Sequence, residues 1–146
     1  MVVKIRRAGN ICRLFEEDLS QYRGEYEDCV DYLPEILFLL AELLRSESLE
    51  EVDRLKVAAA LGYSVSPLDM FPEEIYGPYS FLGDLFVSLT VLRDVVDAIG
   101  LNTVENLWRG EVRLFDLLED CYNRVSKELG AKKKLFLKHV GLDLIG

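Results

Sequence analysis

Four carboxylates, Asp69, Glu73, Glu74 and Asp84, stand close together in the stretch SPLDMFPEEIYGPYSFLGD, residues 66–84. Oxygen donors of this kind hold hard divalent cations such as Mg²⁺ or Ca²⁺, and a cation so held can activate water. Asp69, Glu73 and Asp84 are therefore candidate metal ligands, with hydrolysis as the chemistry they imply. Local helix chemistry competes for the same residues. Ser66, Pro67 and Asp69 read as a helix start, with Ser66 as N-cap, Pro67 where its missing N–H costs nothing, and Asp69 closing a capping box. Asp84 resists that account. Projected at 100° per residue over positions 81–99, Thr90, Arg93, Asp94 and Asp97 share a water-facing arc, while Asp84 falls beside Ser88, Val91 and Val95 on the apolar side. An inward carboxylate needs a hydroxyl, a basic group or a cation as partner, because an unpaired buried charge costs several kcal/mol.

Other chemistry is sparse. The sole histidine, His139, lies in a basic tail far from the acids, and the chain has no nucleophile elbow, zinc-protease, Walker or dinucleotide fingerprint. No catalytic residue, cofactor-binding residue or cofactor is expected. Cys12, Cys29 and Cys121 are odd in number and widely spaced, so they read as buried small apolar residues rather than a disulfide framework or zinc site.

The elements that must position these groups are helices. Ile11, Leu14, Phe15, Leu19, Tyr22, Tyr26, Cys29 and Val30 recur at helical spacing, with a bend expected near Gly24. Pro34 either starts the next helix or kinks the previous one. The run EILFLLAELL behind it is apolar nearly all round and belongs in the core. Ser48 and Glu51 form a capping box, and the helix after it pairs Glu50 with Arg54 and carries small residues Ala58, Ala59, Ala60 and Gly62 for close approach of a neighbour. Ser80 caps a helix over 81–99 that stops at Gly100. Asn102 and Glu105 open a last long helix with Val104, Trp108, Val112, Phe115, Leu118, Tyr122, Val125 and Leu129 on one face, ended by Gly130. The tail KKKLFLKHVGLDLIG is left open between helix and extended chain. Nothing alternates with period two for long. The fold class is all-α: a single helical bundle of five or six helices over 1–146, with a helix–proline-rich loop–helix hairpin at its centre.

With half its residues hydrophobic and 29% charged, the chain reads as globular, and no apolar run is long enough to cross a bilayer. The start, MVVKIRRAGNICRLF, is basic like a signal peptide but lacks its apolar core and cleavage site, so a reducing, cytoplasmic setting is expected. Charge is split. The basic ends, 1–13 and 131–146, flank a strongly acidic body, so nucleic acid is not an expected partner, and anionic membrane would be met only through the ends.

The run GYSVSPLDMFPEEIYGPYSFLGDLFVSL resembles the signature of the YkvA-like family of small helical proteins of unknown function: a helix ending in Tyr, then Ser-Pro-Ile-Asp-Leu-Ile-Pro-Asp, a short turn, Gly-x-x-Asp-Asp and an apolar helix. Tyr63, Ser66, Pro67, Asp69, Pro72 and Asp84 match, and Leu68, Met70 and Phe71 are conservative departures. Glu73 stands in place of an Asp, and Gly83 in place of the first of the paired Asp residues, which disfavours a strict metal site. The resemblance spans about 55–98. It implies a helical hairpin around the loop and carries no catalytic residue, since no activity is generally assigned to the family.

On balance the sequence favours a protein-interaction or scaffold module. Phe71, Tyr76 and Tyr79, with Ile75 and Phe81, crowd a loop that lies largely at the surface and form a candidate patch for a protein partner. The alternatives are the divalent-cation site with hydrolytic activity and peripheral membrane association through the basic ends. Heptad-like helical faces also make homo-oligomers an expectation.

Overall fold

The computed structural model of the chain describes residues 27–65 and 79–144. Its elements are α1 (Glu27–Val30), α2 (Leu33–Leu44), α3 (Glu51–Val65), α4 (Tyr79–Ile99), α5 (Leu101–Glu105), α6 (Leu114–Leu129), α7 (Lys132–Val140) and a 3₁₀ turn, Leu142–Leu144. Among the described residues there is no strand, and the all-α bundle expected from helical periodicity is the observed architecture. No described helix is long and apolar enough to cross a membrane. The chain before Glu27, the proline-rich loop and the basic N-terminal end lie outside the described residues.

α4 is the axle. Leu82, Leu85, Phe86, Val87, Ser88, Leu89, Val91, Leu92 and Val95 are all buried, so most of its circumference is covered by neighbours. A helix apolar on nearly every side is stable only when it is wrapped in this way. α3 and α6 lie along it most extensively, with α2, α5 and α7 completing the wrap. α2 contributes Leu33, Ile36, Leu37, Leu39, Leu40 and Leu43 to the same core. Pro34 sits in its first turn, so of the two alternatives for that proline the new helix start is realised.

α3 and α4 run antiparallel, because Lys56 near the start of α3 reaches Asp94 near the end of α4, Nζ to Oδ2 at 3.3 Å. On the far side of α4, Phe86 stacks on Tyr122 of α6 at 5.8 Å, and the Arg93 guanidinium lies 4.0 Å above the Tyr122 ring. That cation–π contact lets the outward Arg93 hold an aromatic of α6 in place.

The connections differ from the capping boxes the sequence suggests. α3 begins at Glu51, so Ser48 lies outside the helix, and its N–H donates to Ser46 Oγ at 3.2 Å. The turn is closed by Arg54, which donates to the carbonyl oxygens of Leu44, Ser46 and Leu49, the last two at 2.9 and 3.2 Å. These include the end of α2, where carbonyls lack helical partners and a cation is favoured. Arg54 therefore serves the backbone, not the expected pairing with Glu50.

The last long helix is two helices. α5 stops at Glu105, and α6 starts only at Leu114. Between them Trp108 Nε1–H donates to the Val112 carbonyl at 2.7 Å, and the indole covers Gly110 so closely that a Cβ there would overlap it. Glu105 still caps, but the wrong helix from the sequence's viewpoint: its two carboxylate oxygens accept the Leu114 N–H at 3.2 and 3.1 Å. Val112 and Phe115, expected inside, are exposed as a result.

Gly100 and Gly130 take positive φ, +94° and +52°, and end α4 and α6 as expected. The tail resolves as helix. α7 buries Phe136 completely, and its ring fills the space beside Gly83 of α4 that a Cβ would occupy.

Candidate functional site

Of the residues singled out by the loop signature, Ser66, Pro67, Asp69, Pro72 and Glu73 lie outside the described residues, as do Phe71 and Tyr76 of the aromatic patch. Tyr79 opens α4. Tyr63, in the last turn of α3, and Asp84, in α4, are both half-buried at the loop end of the hairpin, and neither is without a partner. α4 starts two residues earlier than expected, so Ser80 lies inside it and Asp84 sits in its second turn, beyond the amides that favour an anion. Ser88, one turn on, is wholly buried, and its hydroxyl has no partner among the described residues.

The departure at position 83 has a packing cause. A side chain there, such as the Asp of the resembled signature, would run into the Phe136 ring. In this chain the tail helix occupies the space beside that position. The small-residue stretch on α3 behaves differently: Ala60 is buried, but Ala58 and Gly62 are exposed, and nothing approaches Gly62 within 4 Å of where a Cβ would stand. The close approach foreseen at Gly62 is made instead at Gly83.

The densest chemistry lies elsewhere, where α1 meets α6. Cys29 and Cys121, 92 positions apart in sequence, are joined by a disulfide with Cα atoms 5.7 Å apart. Both are buried, as expected for apolar residues, but the expectation of unpaired cysteines is corrected. Arg124, one turn beyond Cys121, binds Asp28 in bidentate fashion, Nη1 to Oδ2 at 2.6 Å and Nη2 to Oδ1 at 3.1 Å. Nη1 also reaches Asp120 Oδ2 at 3.2 Å and Cys29 Sγ at 3.4 Å. The hydrogen bond from Arg124 holds the Asp28 carboxyl below its ordinary range, and the same bond raises the guanidinium pKa.

Cys29, Asp120 and Cys121 bring one potential metal-ligand atom each within 4.8 Å, the one such grouping among the described residues, and Asp84 is not part of it. Metal binding takes thiolates, and here the two sulfurs are bonded to each other, with the Arg124 guanidinium beside Cys29 Sγ.

Sequence reasoning missed this corner because its partners are remote. The one available signal was that Cys29 and Cys121 each fall on the apolar side of a helical pattern, which places both in the core without pairing them. No family model matches the chain, and no solved structure matches it. Function is therefore read from the residues.

Proposed function

We propose that the chain is a non-enzymatic interaction module that docks helix to helix through the outer face of α3, and that the helix it meets is α3 of a second copy. One observation carries this: the solvent side of α3 carries Val52, Leu55, Ala58, Ala59 and Gly62, with Val52 50% and Leu55 53% exposed, and its one charge is Glu51 in the first turn. A solvated helix face is ordinarily polar.

The occupant follows from size and symmetry. Val52, Leu55, Ala59 and Gly62 step by three, four and three, the spacing of a helix–helix seam, with the large residues at one end and the small ones at the other. A two-fold axis beside residue 57 sets Val52 against Gly62 of the second copy and Leu55 against its Ala59, bulk into space at each layer. Glu51, the one acid on this face, then comes opposite the uncharged position 63, so like charges do not meet. One helix face about 22 Å long is smaller than the ~800 Å² per partner of a standard interface, so the association is weak and reversible.

The resemblance of residues 55–98 to the YkvA-like family agrees with a non-enzymatic role, as no activity is generally assigned there. The lengthwise burial of Phe136 turns the one aromatic of the basic tail toward the bundle, which supports protein contact over membrane contact. A cytoplasmic setting is retained only with the cysteine pair as an exchangeable bond, since persistent disulfides belong to oxidising compartments.

Sedimentation of the full chain across the micromolar range tests the reading. A weight-average mass that rises with concentration is expected, and Val52→Glu with Leu55→Glu should abolish the rise while leaving helicity unchanged, because both side chains are exposed. A wild-type chain that stays monomeric throughout sinks the proposal.

A further inference from the structure

We propose that the Cys29–Cys121 pair is an exchangeable redox site, opened by small thiols and dithiols at Cys121, with Arg124 as the residue that positions and stabilises the departing Cys29 sulfur. The site is independent of the α3 face.

Thiol–disulfide exchange begins with a thiolate attacking one sulfur while the other leaves, and it is favoured by access to the first and by charge stabilisation at the second. The two sulfurs differ in the second respect. Cys29 is 0% exposed and Cys121 4%, so attack on either sulfur needs local opening, and the leaving group decides between them. The leaving sulfur, Cys29 Sγ, has the Arg124 guanidinium 3.4 Å away. Negative charge developing there meets a donor already in place. Asp28 and Asp120 share that guanidinium, but the single contact to Asp120 can be given up while the bidentate grip on Asp28 holds α1 in place.

Access comes from α1. It is fixed to α6 by the disulfide and by the Asp28–Arg124 pair. Local opening of this corner uncovers the bond without unfolding the bundle.

The steps balance. A thiolate of a dithiol reductant bonds to Cys121 Sγ, the disulfide breaks, and Cys29 leaves as a thiolate beside Arg124. The reductant's second thiolate then attacks its own sulfur in the mixed disulfide and releases Cys121, which takes up a proton. Two electrons and one proton pass to the protein, the reductant's other proton goes to solvent while Cys29 stays a thiolate, and the dithiol leaves as its cyclic disulfide. With the bond open, α1 keeps among the described contacts its ion pair, the Cys29–Arg124 contact and its packing. The site thus sets how firmly α1 is tied to the bundle.

The test uses the full chain with Cys12→Ser, so that only the pair reports. Folded, oxidised protein is treated with glutathione, quenched with acid and mapped by mass spectrometry; separately, dithiothreitol treatment is followed by alkylation, melting and limited proteolysis. Expected are the mixed disulfide on Cys121 and not Cys29, a Tm lower by about 10 °C after reduction, new cleavage around residues 27–33, and reversal of the last two by glutathione disulfide. Arg124→Gln should slow opening at least about tenfold relative to Asp28→Asn, which loosens α1 equally but leaves the guanidinium by the sulfur; Arg124→Lys should recover part of the rate. Opening only under denaturing conditions, adducts chiefly on Cys29, or Arg124→Gln opening as fast as Asp28→Asn would each overturn the assignment.

Discussion

Along the α3–α4 hairpin the contacts are apolar and follow the chain's own spacing of three and four, with Lys56 and Asp94 marking the register. At the α1–α6 corner they are one covalent bond and a set of charge-assisted hydrogen bonds between residues 92 and 96 apart. The hairpin is stabilised by area removed from water, which is present in any redox state. The corner depends on solution conditions: reductant cuts one tie and acid weakens the other. Two regions of one bundle thus answer to different variables, and the contrast can be broken experimentally from either side.

The largest effect is expected from the hairpin side. Phe86 is fully buried against Tyr122, so Phe86→Ala should lower stability by about 4 kcal/mol. Its cost should be the same with and without dithiothreitol in chemical denaturation. Replacing both Cys29 and Cys121 by Ala should cost about 3 kcal/mol relative to oxidised wild type, and most of that difference should vanish when wild type is reduced. A disulfide-free variant as stable as the oxidised protein would erase the distinction between the regions.

Next comes the place where the tail helix meets the hairpin. Gly83→Ala forces a methyl into the Phe136 ring and should cost about 2 kcal/mol. Phe136→Ala alone leaves a cavity, but it should relieve the Gly83→Ala penalty. Together the two should therefore cost less than the sum of the single changes, by about 1 kcal/mol in a double-mutant cycle. Strict additivity would mean that the ring and the glycine are not in contact.

The same contrast explains what could be read from sequence. Periodicity located α2, α3 and α4 because each buries a face through neighbours three and four residues away, and Gly100 and Gly130 ended helices as their backbone freedom allows. It failed at 106–113 for a physical reason. The apolar spacing continues through Trp108, Val112 and Phe115, yet the indole folding over Gly110 turns the chain, and a side chain closing on its own local backbone leaves no periodic trace. Glu105 was recognised as a cap, but its target nine residues away was not. Arg54 was assigned to a carboxylate when three carbonyls at the end of α2 and in the following turn had the stronger claim. The cysteine pair was invisible because separation by 92 residues is a tertiary fact. Of the candidate site, Tyr63 and Asp84 were placed at the hairpin's loop end by sequence alone, and the Arg124 cluster was not foreseen.

Arg54 supplies a smaller test on the hairpin side. Arg54→Lys keeps the charge but not the planar fork that reaches three carbonyls, and should cost about 1.5 kcal/mol. Salt should change that cost little, because the lost groups are backbone oxygens and not an exposed acid. A loss that disappears at high ionic strength would point instead to a surface ion pair.

The smallest effect belongs to the corner's second tie. Asp28 has its folded pKa depressed below 3.8, chiefly by the hydrogen bond from Arg124. A depressed carboxylate contributes stability that is fully present above its unfolded pKa and is lost as pH falls through its folded value. The window therefore lies below about pH 4, and the carboxylate's 62% side-chain exposure limits the contribution to under about 1 kcal/mol. Asp28→Asn should flatten that part of the stability-versus-pH curve and leave the neutral range nearly unchanged. The flattening should be more visible after reduction, when the described polar ties between α1 and α6 are those made by Arg124. Equal flattening in both redox states would show that the bond and the ion pair hold α1 independently, and not as one corner.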